Sequence, residues 1–200
     1  MVRVLPLTVS VMRNRTRIAS VSGFTLIEMM LVVCIIGIMS AMAMFQVGSV
    51  RPGMLGDGAM RSVMGELNTA REMAIAQRRW MQVNFVGVNR IQIVRIELAA
   101  GQTTTLRDVM FESGVRYELI SAIADTPDAF GKASATSFGS ATAVRFNSEG
   151  SLVDTNGAPV NGTVFLAIPN QDLSYRAVTV QGSTGRVRGY KWVGAGWRRG

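Results

Sequence analysis

Residues 29–50 carry no charge at all, and this run, bounded by Glu28 and Arg51, constrains the chain more than any other feature. Wound as a helix at about 1.5 Å per residue it crosses roughly 30 Å of hydrocarbon. Glu28 stands at its entrance. An ionisable side chain inside such a segment costs roughly 2.5–3.5 kcal/mol on insertion scales, so a functional reason for it is expected. Ahead of it lie Gly23 and Phe24, preceded by a stretch holding Arg3, Arg13, Arg15 and Arg17 and no acid. A secretory signal places its basic region, then its apolar region, then its cleavage site, and the apolar part is discarded. Here the candidate break, Gly23/Phe24, precedes the apolar run, which is then retained. The basic flank fits a cytoplasmic N-terminus, with everything after the run exported.

Two plainer readings stand beside this one. Thr25-x-x-Glu28 matches a capping box, in which Thr25 accepts from the Glu28 amide and Glu28 reaches back to the N-cap; an acid in the first turn also suits the helix dipole. Ala41-Met42-Ala43 is a small-x-small site after an apolar stretch, and cleavage there would release a soluble protein. That second reading leaves Glu28 without a purpose.

The basic leader, the hexapeptide Gly23-Phe24-Thr25-Leu26-Ile27-Glu28 and the apolar run together resemble the type IV prepilins and the pseudopilins of type II secretion. The resemblance implies a leader at residues 1–23, cut after Gly23 by prepilin peptidase, and N-methylation of the new terminus, Phe24. It implies that Glu28 guides docking among other major and minor pilins or pseudopilins. The protein would first sit in the inner membrane as a single-pass chain with a periplasmic head, then enter a filament. Physically, the freed amine of Phe24 lies one helical turn from Glu28. In a bundle, Glu28 of an incoming subunit can neutralise a neighbour's amine, which favours one axial register. The leader is long for such a protein; a start at Met12 would give a compact one.

Composition narrows the chemistry. Of the net charge of +8, the leader's four arginines account for half, leaving +4 in the mature chain. There is no histidine and one cysteine, Cys34, inside the apolar run, which excludes a disulfide framework and a Cys/His metal site. No catalytic set and no cofactor are expected: the usual general base is missing, and no paired carboxylates stand at suggestive spacing.

The expected organisation is a transmembrane half-helix over residues 24–50, a kink and an amphipathic half over residues 51–79, and a β-rich head over residues 80–200. Gly48, Pro52, Gly53, Gly56 and Gly58 predict bending or partial melting of the helix, or a flexible linker. Helical periodicity returns through Met60, Val63, Met64, Leu67, Ala70, Ala74 and Ile75 as one buried stripe, with Arg61, Glu66, Asn68, Glu72 and Arg78 off it. From residue 81 the period becomes two. Strands are expected at 81–85, 90–98 with a phase slip at Val94-Arg95, 106–111, 115–119, 143–146, 163–168, 176–180 and 186–192. Turn signals at Gly87, Ala100-Gly101, Ser113-Gly114, Gly150, Gly157, Gly162 and Gly182–Gly185 separate them. Residues 124–142, rich in Ala, Ser, Thr and Gly, read as a long loop. A helix followed by short antiparallel strands is an α+β fold, a long N-terminal helix on an antiparallel sheet head, as the pilin resemblance also implies.

The order of a helix at residues 70–79, the segment Val144-Arg-Phe-Asn-Ser-Glu-Gly150 and a late Thr184-Gly-Arg-Val-Arg188 resembles the branch containing minor pseudopilin H and the minor pilin FimT. In that branch a Gly-Arg-x-Arg motif is associated with binding DNA, and Gly185, Arg186 and Arg188 match it. Arg186, Arg188, Lys191, Arg198 and Arg199 form an acid-free C-terminus interleaved with Tyr190, Trp192 and Trp197. Alternation on a strand puts Arg186 and Arg188 on one face, able to straddle phosphates, with aromatics available to stack on bases. Contact with acidic faces of neighbouring subunits, or an edge strand kept solvated by charge, are the other readings. The function expected is a minor pilin subunit of a type IV pilus with DNA contact at the hairpin; the alternative is a minor pseudopilin of type II secretion that contacts exported proteins.

Overall fold

The computed structural model describes residues 23–99, 101–111, 114–141 and 143–200, so the basic leader, Met12 and the turn residues Ala100 and Ser113 lie outside the described residues. The chain divides into two compact units, one ending at Ala43 and the other spanning Met44–Gly200. In the first, every described residue from Gly23 to Ala43 is exposed, and Leu26–Ala43 forms a helical span with mean hydropathy 2.4 and none of it buried. By length and composition this helix is long and apolar enough to cross a membrane.

Helix α1 is assigned over Leu26–Gln77. Its second part carries the head. Val63, Leu67, Ala70 and Ala74 recur at three- and four-residue steps and are completely buried. Each large side chain so removed from water contributes about 1.5–3 kcal/mol. Two expectations fail on this helix. Ile75 remains 43% exposed, because it sits past the core, against the Gly150 turn. Glu66, read as a solvent-side residue, is buried, and Arg107 reaches it with Nε to Oε2 at 2.7 Å and Nη2 to Oε1 at 2.6 Å.

The glycine and proline cluster does not melt α1 within the described residues; the helix persists across residues 51–58. The reason is packing. Gly56 lies so close to the 3-10 turn η1 (Asp172–Ser174) that a Cβ would fall 2.4 Å from the Ser174 carbonyl oxygen. Arg176, only 5% exposed, donates from Nε to Asp57 Oδ1 at 2.6 Å and from Nη2 to the Gly53 carbonyl at 2.9 Å. Its Nη1 reaches the carbonyls of Leu173 and Tyr175. The missing proline donor therefore sits in a segment clasped from the side. At the other end Arg78 takes φ 50°, and its amide and that of Arg79 return to the carbonyls of Ile75 and Ala74, closing the helix.

The head holds two antiparallel sheets rather than one. The first orders β3-β2-β1-β6-β7, from β1 (Met81–Val86), β2 (Arg90–Ile96), β3 (Thr103–Met110), β6 (Val144–Phe146) and β7 (Leu152–Val153). The second orders β11-β10-β9-β8-β4, with β4 (Arg116–Tyr117), β8 (Gly162–Ala167), β9 (Arg176–Gln181), β10 (Arg186–Trp192) and β11 (Trp197–Arg199); β5 (Thr136–Ser137) also pairs with β8. Both register with α1 through one core that includes Met81, Ile93, Phe146, Val164, Leu166, Val178 and Val180. The phase slip expected at Val94-Arg95 lies one residue earlier, as a register shift between Ile93 and Val94. Gly162, read as a turn, is instead the first residue of β8, where Phe138 takes the space a Cβ would need.

Candidate functional site

The N-terminal motif resolves into a capped helix start. Thr25 Oγ1 accepts the Glu28 amide at 3.2 Å, and the Thr25 carbonyl accepts that of Met29 at 3.2 Å. This is one half of the capping box; among the described residues the Glu28 carboxylate takes no hydrogen bond and no ion pair. It stands exposed in the first turn of a helix that is apolar on every side. Gly23 and Phe24 precede the helix, both exposed, with Phe24 at 75%. Gly23 and Phe24 are thus accessible, and one carboxylate stands unpaired among the described residues at the start of the apolar helix.

The basic C-terminal hairpin occupies β10 and the edge strand β11. Its five cations do not form one patch. Gly189 turns toward α1, where a Cβ would meet Met64 Sδ at 2.6 Å and Met60 Sδ at 2.9 Å. Alternation then places Arg186, Arg188 and Tyr190 on the opposite, outer face. Register pairs Tyr190 with Arg199 and Lys191 with Arg198, so Arg199 joins the outer face while Lys191 and Arg198 take the other. Arg186, Lys191, Arg198 and Arg199 form no ion pair among the described residues. Trp192 and Trp197 meet edge to face at 5.4 Å between centroids, and Trp197 Nε1 donates to the Ala124 carbonyl at 2.8 Å. These aromatics are therefore engaged in packing.

Arg188 differs from its neighbours. Its Nη1 is paired with Asp128, whose other oxygen accepts Thr179 Oγ1 at 2.6 Å and Tyr190 Oη at 3.0 Å. Asp128 is only 10% exposed and Arg188 26%. Burial alone would raise the Asp128 carboxyl, but hydrogen bonds from Thr179 and Tyr190 and the charge of Arg188 outweigh it and hold the carboxyl below its ordinary value. Asp128 belongs to the stretch read as a featureless loop. Nothing in the sequence pairs it with a residue sixty positions later.

No family model matches the chain, and no curated protein matches its sequence. Among solved structures the chain is similar to the type IV minor pilin FimU of Pseudomonas aeruginosa strain PAO1 in two crystal forms. In space group P21 the identity is 16% and the TM-score 0.46, over 66% of this chain and 84% of that one. In space group P65 the values are 15% and 0.45, over 66% and 90%.

Proposed function

We propose that the chain is a membrane-anchored minor subunit of a type IV pilus, structural rather than catalytic. Prepilin peptidase cuts after Gly23 and Phe24 becomes the N-methylated terminus. Residues 24–50 hold the protein in the inner membrane with its head in the periplasm until neighbouring pilins take it up. The observation that carries this reading is Glu28: an exposed carboxylate in the capped first turn of a helix whose apolar surface is covered by nothing else in its unit.

Replacing Glu28 with alanine tests it. The cap keeps its Thr25 half, so loss of the acid costs the helix about 1 kcal/mol or less, and membrane insertion improves. The variant is expected to be cleaved and inserted normally yet to be absent from sheared filaments. Normal uptake would reduce Glu28 to a capping residue. Crosslinking of the wild type to its filament neighbours separates a pilus from a type II secretion pseudopilus, the second system that the same N-terminal chemistry serves.

Within this role the hairpin is the element proposed to touch DNA, as in the FimT branch. Arg186 and Arg199, on the outer face and without an ion pair among the described residues, support it; Lys191 and Arg198 extend the charge around the edge strand. Arg188 contributes least while Asp128 holds it. Binding of this kind is sequence-independent, weak and strongly salt-dependent.

A further inference from the structure

The segment from residue 121 to residue 132 forms a strap against the outer face of β9 and β10. Lys132 Nζ ties its own ends by donating to the carbonyls of Ser121 and Ile123. Asp125 accepts the amides of Thr126 and Gly131, at 2.7 and 3.1 Å, shaping the turn. Trp197 anchors one side through the Ala124 carbonyl, and Asp128 anchors the other on Thr179, Arg188 and Tyr190.

Two defects mark the anchored state. Arg188 Nε is buried with no hydrogen-bond partner, so Asp128 satisfies only one side of the guanidinium fork. Ala129, next to Asp128, is held at φ 54°, a left-handed conformation that an alanine adopts only under constraint. A phosphate approaching from the front of the fork would take Nε and Nη together, the bidentate geometry that guanidinium groups favour. Arg186 lies two residues away on the same face and already points to solvent.

We infer that the strap is an autoinhibitory latch, in which Asp128 occupies the Arg188 guanidinium that otherwise joins Arg186 in gripping the phosphates of DNA. The latch rests on the reading of the hairpin as a DNA-contacting element. Closed, the hairpin offers Arg186 and Arg199; open, it gains one further phosphate contact.

The test is a salt titration of full-length protein in detergent micelles against a labelled DNA duplex of random sequence. Asp128→Asn removes the charge that holds the guanidinium. An amide with one acceptor oxygen in place of two cannot keep Arg188, Thr179 and Tyr190 together, so the strap loosens and releases the arginine. The variant should tighten binding several-fold and steepen the log–log salt slope by about 0.9, the signature of one added phosphate. Glu72→Gln, which removes the same charge from an exposed helix position, should not steepen it. Arg188→Gln alone should leave binding close to wild type, because the residue is masked, and added to Asp128→Asn it should cancel the gain. Arg186→Gln should weaken every form. A slope for Asp128→Asn equal to that of Glu72→Gln overturns the latch, as does an Arg188→Gln loss as large as that of Arg186→Gln. If Asp128→Asn fails to fold, the Arg188→Gln arm still keeps the latch falsifiable, because a loss as large as that of Arg186→Gln overturns it. If Arg186→Gln weakens binding and Asp128→Asn adds nothing, the latch alone fails; if folded wild type and variants all ignore DNA, the hairpin reading fails and the latch with it.

Discussion

Replacing Arg176 with methionine is expected to destabilise the head by about 2–4 kcal/mol, since a hydrogen bond to a charged group contributes about 1.5–3 kcal/mol while Asp57, one-third exposed, is rehydrated when its partner is lost. For a domain of this size that lowers the melting temperature by roughly 10 °C. The side chain is 5% exposed and its guanidinium meets four acceptors: Asp57, and the carbonyls of Gly53, Leu173 and Tyr175. Methionine fills much of the volume but satisfies none of them. Because two acceptors lie on α1, hydrogen exchange at residues 53–57 should accelerate more than exchange in the β8–β9 core. Near-ultraviolet circular dichroism of the protein in detergent reads the melting point. A shift under about 2 °C would mean that the helix holds across Pro52 without the clasp.

Gly56→Ala should also destabilise, by about 1–3 kcal/mol, although helix propensity alone predicts the opposite sign. The new methyl would sit 2.4 Å from the Ser174 carbonyl oxygen and 3.1 Å from its carbon, backbone atoms that yield only if the helix and η1 part. Gly58 and Gly65 provide the contrast. A Cβ at either meets nothing within 4 Å, and both lie inside α1, so alanine there should stabilise by about 0.4–1 kcal/mol. Three substitutions of one chemistry thus divide by sign according to what faces each glycine. Equal effects at all three would contradict the close approach of α1 to η1.

That contrast also explains where sequence reading succeeds. Period-two alternation located β1 and β2, and a phase slip one residue from the bulge at Ile93/Val94, because each of these strands has one buried face that its own residues record. Turn glycines such as Gly87, Gly114, Gly150 and Gly157 were legible since their positive φ demands glycine. Gly56 carries the same letter for a different reason, close approach of another backbone, and so looks like a break. Two- and three-residue strands such as β5, β7 and β11 leave too short a pattern to read.

The candidate sites divide in the same way. Gly23, Phe24, Thr25 and Glu28 fall within six consecutive residues, so the chemistry proposed for them is read from local sequence alone. The hairpin arginines were also legible as a basic, alternating strand. What escaped was Asp128, whose pairing with Arg188 depends on the strap folding back over sixty residues of sequence. A tertiary contact of that kind has no local signature, yet it decides which arginine is free.

The membrane anchor and the role of Glu28 both depend on where the mature chain begins. Intact-mass and N-terminal peptide analysis of the protein recovered from membranes is expected to find Phe24 at the terminus, carrying one methyl group on its amine, with residues 24–50 retained. A chain beginning just after Ala43 would contradict it, since the apolar helix and Glu28 would then have been discarded with an ordinary signal.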